Sequence, residues 1–211
     1  MTDVAPQSLL DLVDWRRRVG DLYRLGGTDP VLQFRQARDE LFRSHPQSPI
    51  EPDERESFKG LRYFPYDPAF RLPARLESGD GEELVIETGG ADGAVRFRRA
   101  GVLVFELGGA ERRLTVLSLV QYAGGLFVPF RDATSGRETY GGGRYLFDTA
   151  KNTDGLVLEF KPGSPDVILD FNFAFNASCA YSPRWACPLA PPENFLKVAI
   201  PAGELVFHED A

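Results

Sequence analysis

Residues 101–119, GVLVFELGGAERRLTVLSL, decide the fold. Leu103, Phe105 and Leu107 alternate with their neighbours before Gly108 and Gly109, and Leu114 and Val116 alternate after them. A period of two places successive side chains on opposite faces of a strand, and a glycine pair supplies the tight turn between two strands. The stretch therefore reads as a β-hairpin. Moving outward, LFVPFRDATSGRETYGGGRYLF (residues 126–147) reads as a second hairpin, its loop built from Asp132, Thr134, Ser135 and Gly136. Pro129 cannot donate to a ladder, so its strand is expected at an edge or at a bulge. LVLEFKPGSPDVILDFNF (156–173) offers strand, Pro-Gly turn and strand, and FLKVAIPAGELVF (195–207) suggests a last pair. Eight to ten short strands with no helical pattern between them predict a mainly β protein, an antiparallel barrel or sandwich.

The N-terminal quarter differs. From Ser8 to about Arg24, Leu9, Leu12, Val13, Val19, Leu22 and Tyr23 recur at spacings of three and four, a helix ended by Gly26 and Gly27. Asp29 and Pro30 then suit the start of a second helix over Val31–Ser44, which stops before Pro46. The proline-rich, charged segment 46–57 reads as a connector. The expected organisation is thus a helical arm and connector over 1–57 and a β domain over 58–211.

A chain of 211 residues with 43% hydrophobic and 12% aromatic residues can bury a substantial core. Its formal charge of -7 and pI near 5.0 repel phosphate backbones and anionic lipid, so neither nucleic acid nor a membrane is an expected partner. No basic leader precedes an apolar run and no stretch of membrane-spanning length follows, which predicts a cytoplasmic protein.

Candidate chemistry concentrates in FNFAFNASCAYSPRWACPLAPPENF (171–195), which holds both cysteines. The Cys179–Cys187 spacing matches neither a zinc knuckle nor a redox C-x-x-C motif. Three readings stay open: small buried hydrophobes, a bridge, or a site in which the pair acts with His208 as nucleophile and base or as a zinc set. The alternation in DFNFAFN (170–176) predicts Asp170, Asn172 and Ala174 on one polar face and Phe171, Phe173 and Phe175 on an aromatic one. YGGGRY (140–145) reads as a strand kink, with Arg144 able to meet an anion. RYFPYDPAFRL (62–72), broken by Pro65 and Pro68, reads as an aromatic lid or a ligand mouth flanked by Arg62 and Arg71.

FKGLRYFPYDPAFR, LFVPFRDATSGRETYGGGRYL, LDFNFAFNASCAYSPRWACPLAPPENFLKVAIPAGE and a terminal Phe-His resemble, in that order, an uncharacterised prokaryotic family known as domain of unknown function 1684. The resemblance runs from about Phe58 to the C-terminus and implies a bacterial or other prokaryotic β domain without an assigned reaction or cofactor. Many members carry an inserted β domain where this chain has two helices and a connector. Its motif positions fall here on Arg71, Tyr140, Arg144, Asp170, Asn172, Asn176, Cys179, Tyr181, Cys187, Glu193, Asn194 and His208. Ala177, Ser178 and Ala186 depart from the family's N-P-P-C and T-C-P patterns, which loosens the approach to Cys179.

The first expectation is a protein that binds a small, anionic molecule in a β-barrel pocket bordered by Arg71, Tyr140, Arg144, Asn172, Asn176, Tyr181, Glu193 and Asn194. The alternative is a thiol- or metal-dependent hydrolase-type enzyme using Cys179 or Cys187 with His208. A protein-interaction module is a third reading.

Overall fold

The computed structural model describes residues 6–90, 93–120 and 124–208. Two helices, α1 (Pro6–Leu22) and α2 (Pro30–Ser44), precede nine strands: β1 (Arg71–Ser78), β2 (Glu83–Glu87), β3 (Ala94–Leu107), β4 (Ala110–Leu119), β5 (Leu126–Phe130), β6 (Arg144–Asp148), β7 (Leu158–Phe160), β8 (Asp166–Asp170) and β9 (Phe175–Asn176). All pair antiparallel in the order β7-β8-β1-β3-β4-β5-β6-β9, with β2 added on β3. The eight strands of that path curl through 252°, a half-barrel. Among the described residues, no helix is long and apolar enough to cross a membrane.

The expected hairpin is β3–β4. Leu107 faces Ala110 across a two-residue turn in which Gly108 and Gly109 have φ of 65° and 73°. Two positive φ values in sequence make the turn whose twist matches the strands, which is why glycine occupies both places. Leu103, Phe105, Leu114 and Val116 all lie in the core. The second and third hairpins are β5–β6 and β7–β8. Pro129 lies in an inner strand, and the ladder bulges there: Val128 faces Phe147, Pro129 faces Tyr145, and Leu146 is skipped. Opposite it Gly143, at φ 92°, brings the chain so close that a Cβ would stand 2.5 Å from the Phe130 carbonyl oxygen.

Three expectations are corrected. FLKVAIPAGELVF forms no strand pair. Pro201 and Gly203, with φ of 79°, interrupt it, and its backbone bonds loops instead, as in Ala133 N to Val198 O at 3.0 Å and Glu204 N to Ala174 O at 2.9 Å. DFNFAFN does not alternate. Asp170 caps a 3-10 turn over Phe171–Phe173, so Asp170, Asn172 and Ala174 are buried along with the three phenylalanines. Third, the apolar positions early in α1 do not pack: Leu9, Leu12 and Val13 are exposed, while Val19, Leu22 and Tyr23 are buried.

The arm packs against the half-barrel. Asp29 accepts a hydrogen bond from the Leu32 amide at 3.0 Å, satisfying one of the free N–H groups that start α2. Phe34, Arg38, Leu41 and Phe42 then share the helix's buried face. Phe34 meets Tyr23 at 5.0 Å and Phe173 at 5.2 Å, both edge to face, and Tyr23 meets Phe175 at 6.0 Å. From Phe175 the ring chain continues through Tyr145 and Phe127 to Phe97. Each such pair adds about 0.5–1.5 kcal/mol beyond the area it covers. Arm and sheet therefore share one core.

Candidate functional site

Most of the polar residues singled out in the sequence hold the fold together. Arg144 is wholly buried: it pairs with Asp132 at 2.7 Å, donates to the Ile200 carbonyl at 2.9 Å and to that of Ala202, and lies over the Phe130 ring. It faces protein on every contact, and the expectation that it meets a ligand is corrected accordingly. Asn194 is a clip across β4 and β5. Its Oδ1 accepts from Thr115 N at 2.8 Å, and its Nδ2 donates to Thr115 O at 3.0 Å and Pro129 O at 2.8 Å. Asn172 does the same between Asp67 N, Asp67 O and Asp170. Glu193 pairs with Arg99 at 2.9 Å near the surface.

Arg71 pairs with Glu159 on the rim of an open groove of about 510 Å³, floored by Val31, Leu156 and Phe173. Asp170 also lines this groove, and burial raises its carboxyl above the ordinary value. Asp154, Glu159 and Asp170 outnumber Arg71 there, so the groove does not suit an anion.

Asn176 and Tyr181 come together elsewhere, in a cavity of about 60 Å³ between arm and half-barrel. Trp15, Arg16, Arg38 and Phe42 of the arm form one wall, and Tyr145, Lys151, Asn176, Ser178 and Tyr181 form another. Three cations line it and no carboxylate does. Behind the lining stands Glu204, buried, which accepts from Arg38 Nη2 at 3.0 Å, from the Asn176 amide at 3.1 Å and from the Tyr181 hydroxyl. The carboxylate holds the Arg38 guanidinium charged despite its burial. Arg38 is sandwiched by the rings of Phe42 at 4.5 Å and Phe175 at 5.5 Å. Yet Arg38 Nε and Asn176 Oδ1 are buried without a partner, as are the nearby Tyr23 and Tyr63 hydroxyls. Asn176 Nδ2 is committed to the Leu205 carbonyl at 2.7 Å, which fixes Oδ1 as the free acceptor.

The two cysteines are unbridged and in contact beside this cavity. The Cys179 amide donates to Cys187 Sγ at 3.4 Å, and the Tyr140 hydroxyl lies 3.7 Å from Cys179 Sγ. A proton shared with the Cys179 thiol, together with the Cys179 amide at 3.4 Å, holds Cys187 well below the ordinary thiol value, and the same sharing pushes Cys179 up. His208 is not part of this group. Its Nε2 meets the Tyr181 carbonyl at 3.2 Å and its ring packs on Phe207, so it cannot serve as the base of the pair. Nor do Cys179, Cys187 and His208 assemble as a zinc set: among the described residues, no three His, Cys, Asp or Glu side chains converge on a point that could hold a metal.

Sequence reasoning missed Arg38 and Glu204, the centre of the buried network. The signal was present: Arg38 falls four residues after Phe34 and four before Phe42, a charge set into an apolar stripe.

The model of the family described as Protein of unknown function (DUF1684) matches residues 56–205. The chain belongs to DUF1684. The solution NMR structure of an uncharacterized protein of Haloarcula marismortui is similar over 93% of this chain and 96% of that one, with 35% identity and a TM-score of 0.60. Among curated proteins none matches the chain. The DUF1684 match includes the loop with both cysteines, Asn176 and Glu204, but it begins after α2, so Arg38 and Trp15 lie outside it.

Proposed function

We propose that this DUF1684 protein binds a small oxyanion that keeps a hydroxyl, such as hydrogen phosphate or a hydroxycarboxylate, in the cavity beneath its helical arm. The observation that carries this reading is a pair of unmatched buried atoms on two residues that line the cavity. Arg38 Nε is a donor and Asn176 Oδ1 an acceptor, and a hydroxylated oxyanion answers both. Arg16 adds positive charge at the same wall, and Lys151, which pairs with Asp148 at 3.0 Å, stands beside it. A cavity of about 60 Å³ corresponds to about two waters at their liquid volume, which suits one phosphate or carboxylate group and excludes a nucleotide.

The test is calorimetric titration with inorganic phosphate, with sulfate, which has no hydroxyl at neutral pH, as the contrast. Saturable phosphate binding should weaken about tenfold or more in the Arg16→Ala, Lys151→Ala double variant, since each charge-assisted bond is worth about 1.5–3 kcal/mol. Neither residue bonds Arg38 or Glu204, and thermal melting checks that the variant keeps its fold despite the lost Lys151–Asp148 pair. Unchanged affinity in the double variant, or sulfate binding as tightly as phosphate, refutes the proposal.

A further inference from the structure

The loop that carries the two cysteines is held stiffly against the connector. The Ser182 hydroxyl bonds Glu51, Arg184 donates to Ser48 O at 2.8 Å, and the Trp185 indole donates to Pro49 O at 3.2 Å. Tethered in this way, Cys179 and Cys187 are kept within hydrogen-bonding contact of each other although seven residues separate them. They differ in surroundings. Cys187 is buried and receives a backbone N–H, whereas Cys179 is half-buried and reaches the surface beside Tyr140. The Cys179 amide donor favours Cys187 as the thiolate, the nucleophilic form, against the cost of burial, and its neighbour keeps the proton. Packing alone requires neither the donor nor the contact.

We propose that Cys187 and Cys179 form a dithiol that reduces hydroperoxides, with Cys187 as the attacking thiolate and Cys179 as the thiol that resolves it into a disulfide. In the first step Cys187 Sγ attacks one peroxide oxygen and the O–O bond breaks. The displaced alkoxide or hydroxide takes a proton from solvent, and Cys187 becomes a sulfenic acid. In the second, Cys179 Sγ attacks the sulfenic sulfur, the S–S bond forms, the S–O bond breaks, and hydroxide leaves with the Cys179 proton as water. Two thiols are oxidised and one hydroperoxide is reduced to an alcohol, or to water when the substrate is hydrogen peroxide. A small dithiol restores the pair by exchange.

The experiment adds one equivalent of hydrogen peroxide to the reduced full chain and follows thiol content and intact mass. The wild type should lose both thiols and two hydrogens, and regain them with dithiothreitol. Cys179→Ser should stop with one added oxygen, reactive toward a sulfenic-acid trap. Cys187→Ser should react about 100-fold more slowly, as an ordinary protonated thiol does. The wild-type rate should rise with pH about a midpoint below the ordinary thiol value. Survival of both thiols overturns the proposal, as does a Cys187→Ser variant that reacts at the wild-type rate. Thermal melting of each variant separates loss of reactivity from loss of fold, and Cys179→Ala replaces Cys179→Ser if the latter melts early.

Discussion

Arg144 and Arg38 are both buried beside a carboxylate, at 1% and 5% exposure, yet one belongs to a closed joint and the other to an open one. Around Arg144, Asp132 is itself bonded by the Thr134 amide at 2.7 Å, the Thr134 hydroxyl at 2.6 Å and the Ile200 amide at 3.3 Å, and three carbonyls of the C-terminal stretch converge on the guanidinium. Its unmatched Nε lies beside the Phe130 ring, which lends the cation a π face. Around Arg38 the ion pair is as short as many, but four polar atoms stay unmatched and a cavity runs alongside. A buried network that is satisfied specifies structure, while one left half satisfied needs something else to complete it. The difference separates the polar residues that tie the half-barrel together from those that offer a site.

That contrast can be broken by mutation. Arg144→Leu should cost about 3–5 kcal/mol in chemical denaturation, because it leaves the Asp132 carboxylate buried without its counter-charge. The Arg144→Leu, Asp132→Leu double variant should recover part of the loss, since no lone charge is then left inside. If the single variant unfolds no more easily than wild type, the joint is not closed. Arg38→Leu should cost at least about 1 kcal/mol less than Arg144→Leu, because water can enter the cavity and solvate Glu204. Equal losses would mean that both joints are dry and that the cavity is no site. Asn194→Ala comes next, at about 1–3 kcal/mol, for the backbone groups of Thr115 and Pro129 it leaves unmatched.

How much of this was legible beforehand depends on the range of the interactions. The β3–β4 hairpin could be read outright, because alternation and a Gly-Gly turn are local and agree with each other. The cap at Asp29 was legible for the same reason. The last expected strand pair failed because alternating apolar residues in 195–207 also suit an extended segment whose hydrogen bonds go to loops. Only the partners distinguish the two, and those partners, Arg131, Ala133 and Ala174, are distant in sequence. DFNFAFN misled through a capping aspartate: Asp170 starts a 3-10 turn, and its period of three overrides the period of two in the letters. Of the site, Asn176, Tyr181 and both cysteines were named, but they were grouped with Arg144 and Asn194, which serve the opposite end of the argument about burial. Sequence shows that a polar residue sits among apolar ones, and it leaves open whether backbone groups will saturate it.

The smallest effect sharpens the comparison at the thiols. Cys187 has a depressed folded-state pKa, chiefly through the hydrogen bond from Cys179, whereas in the unfolded chain it titrates as an ordinary thiol, at about 8.5. The folded state therefore holds fewer protons in the window between the two values. The Cys187 part of the resulting stability is lost as pH falls through the folded value, while above the unfolded value the raised Cys179 thiol offsets it, because the unfolded chain releases a proton that the folded one keeps. Wild type and Cys187→Ala should differ most in thermal stability near the unfolded thiol value, at about pH 8.5, and the difference should shrink toward pH 5 to the packing loss alone. Because Cys179 is only half-buried, solvent screens the pair and the gain stays below that of the Arg144 joint. A stability difference flat across this range would show that the two sulfurs share no proton. Cys187 would then stand with Arg144 as a part of the scaffold, and its contact with Cys179 would be packing.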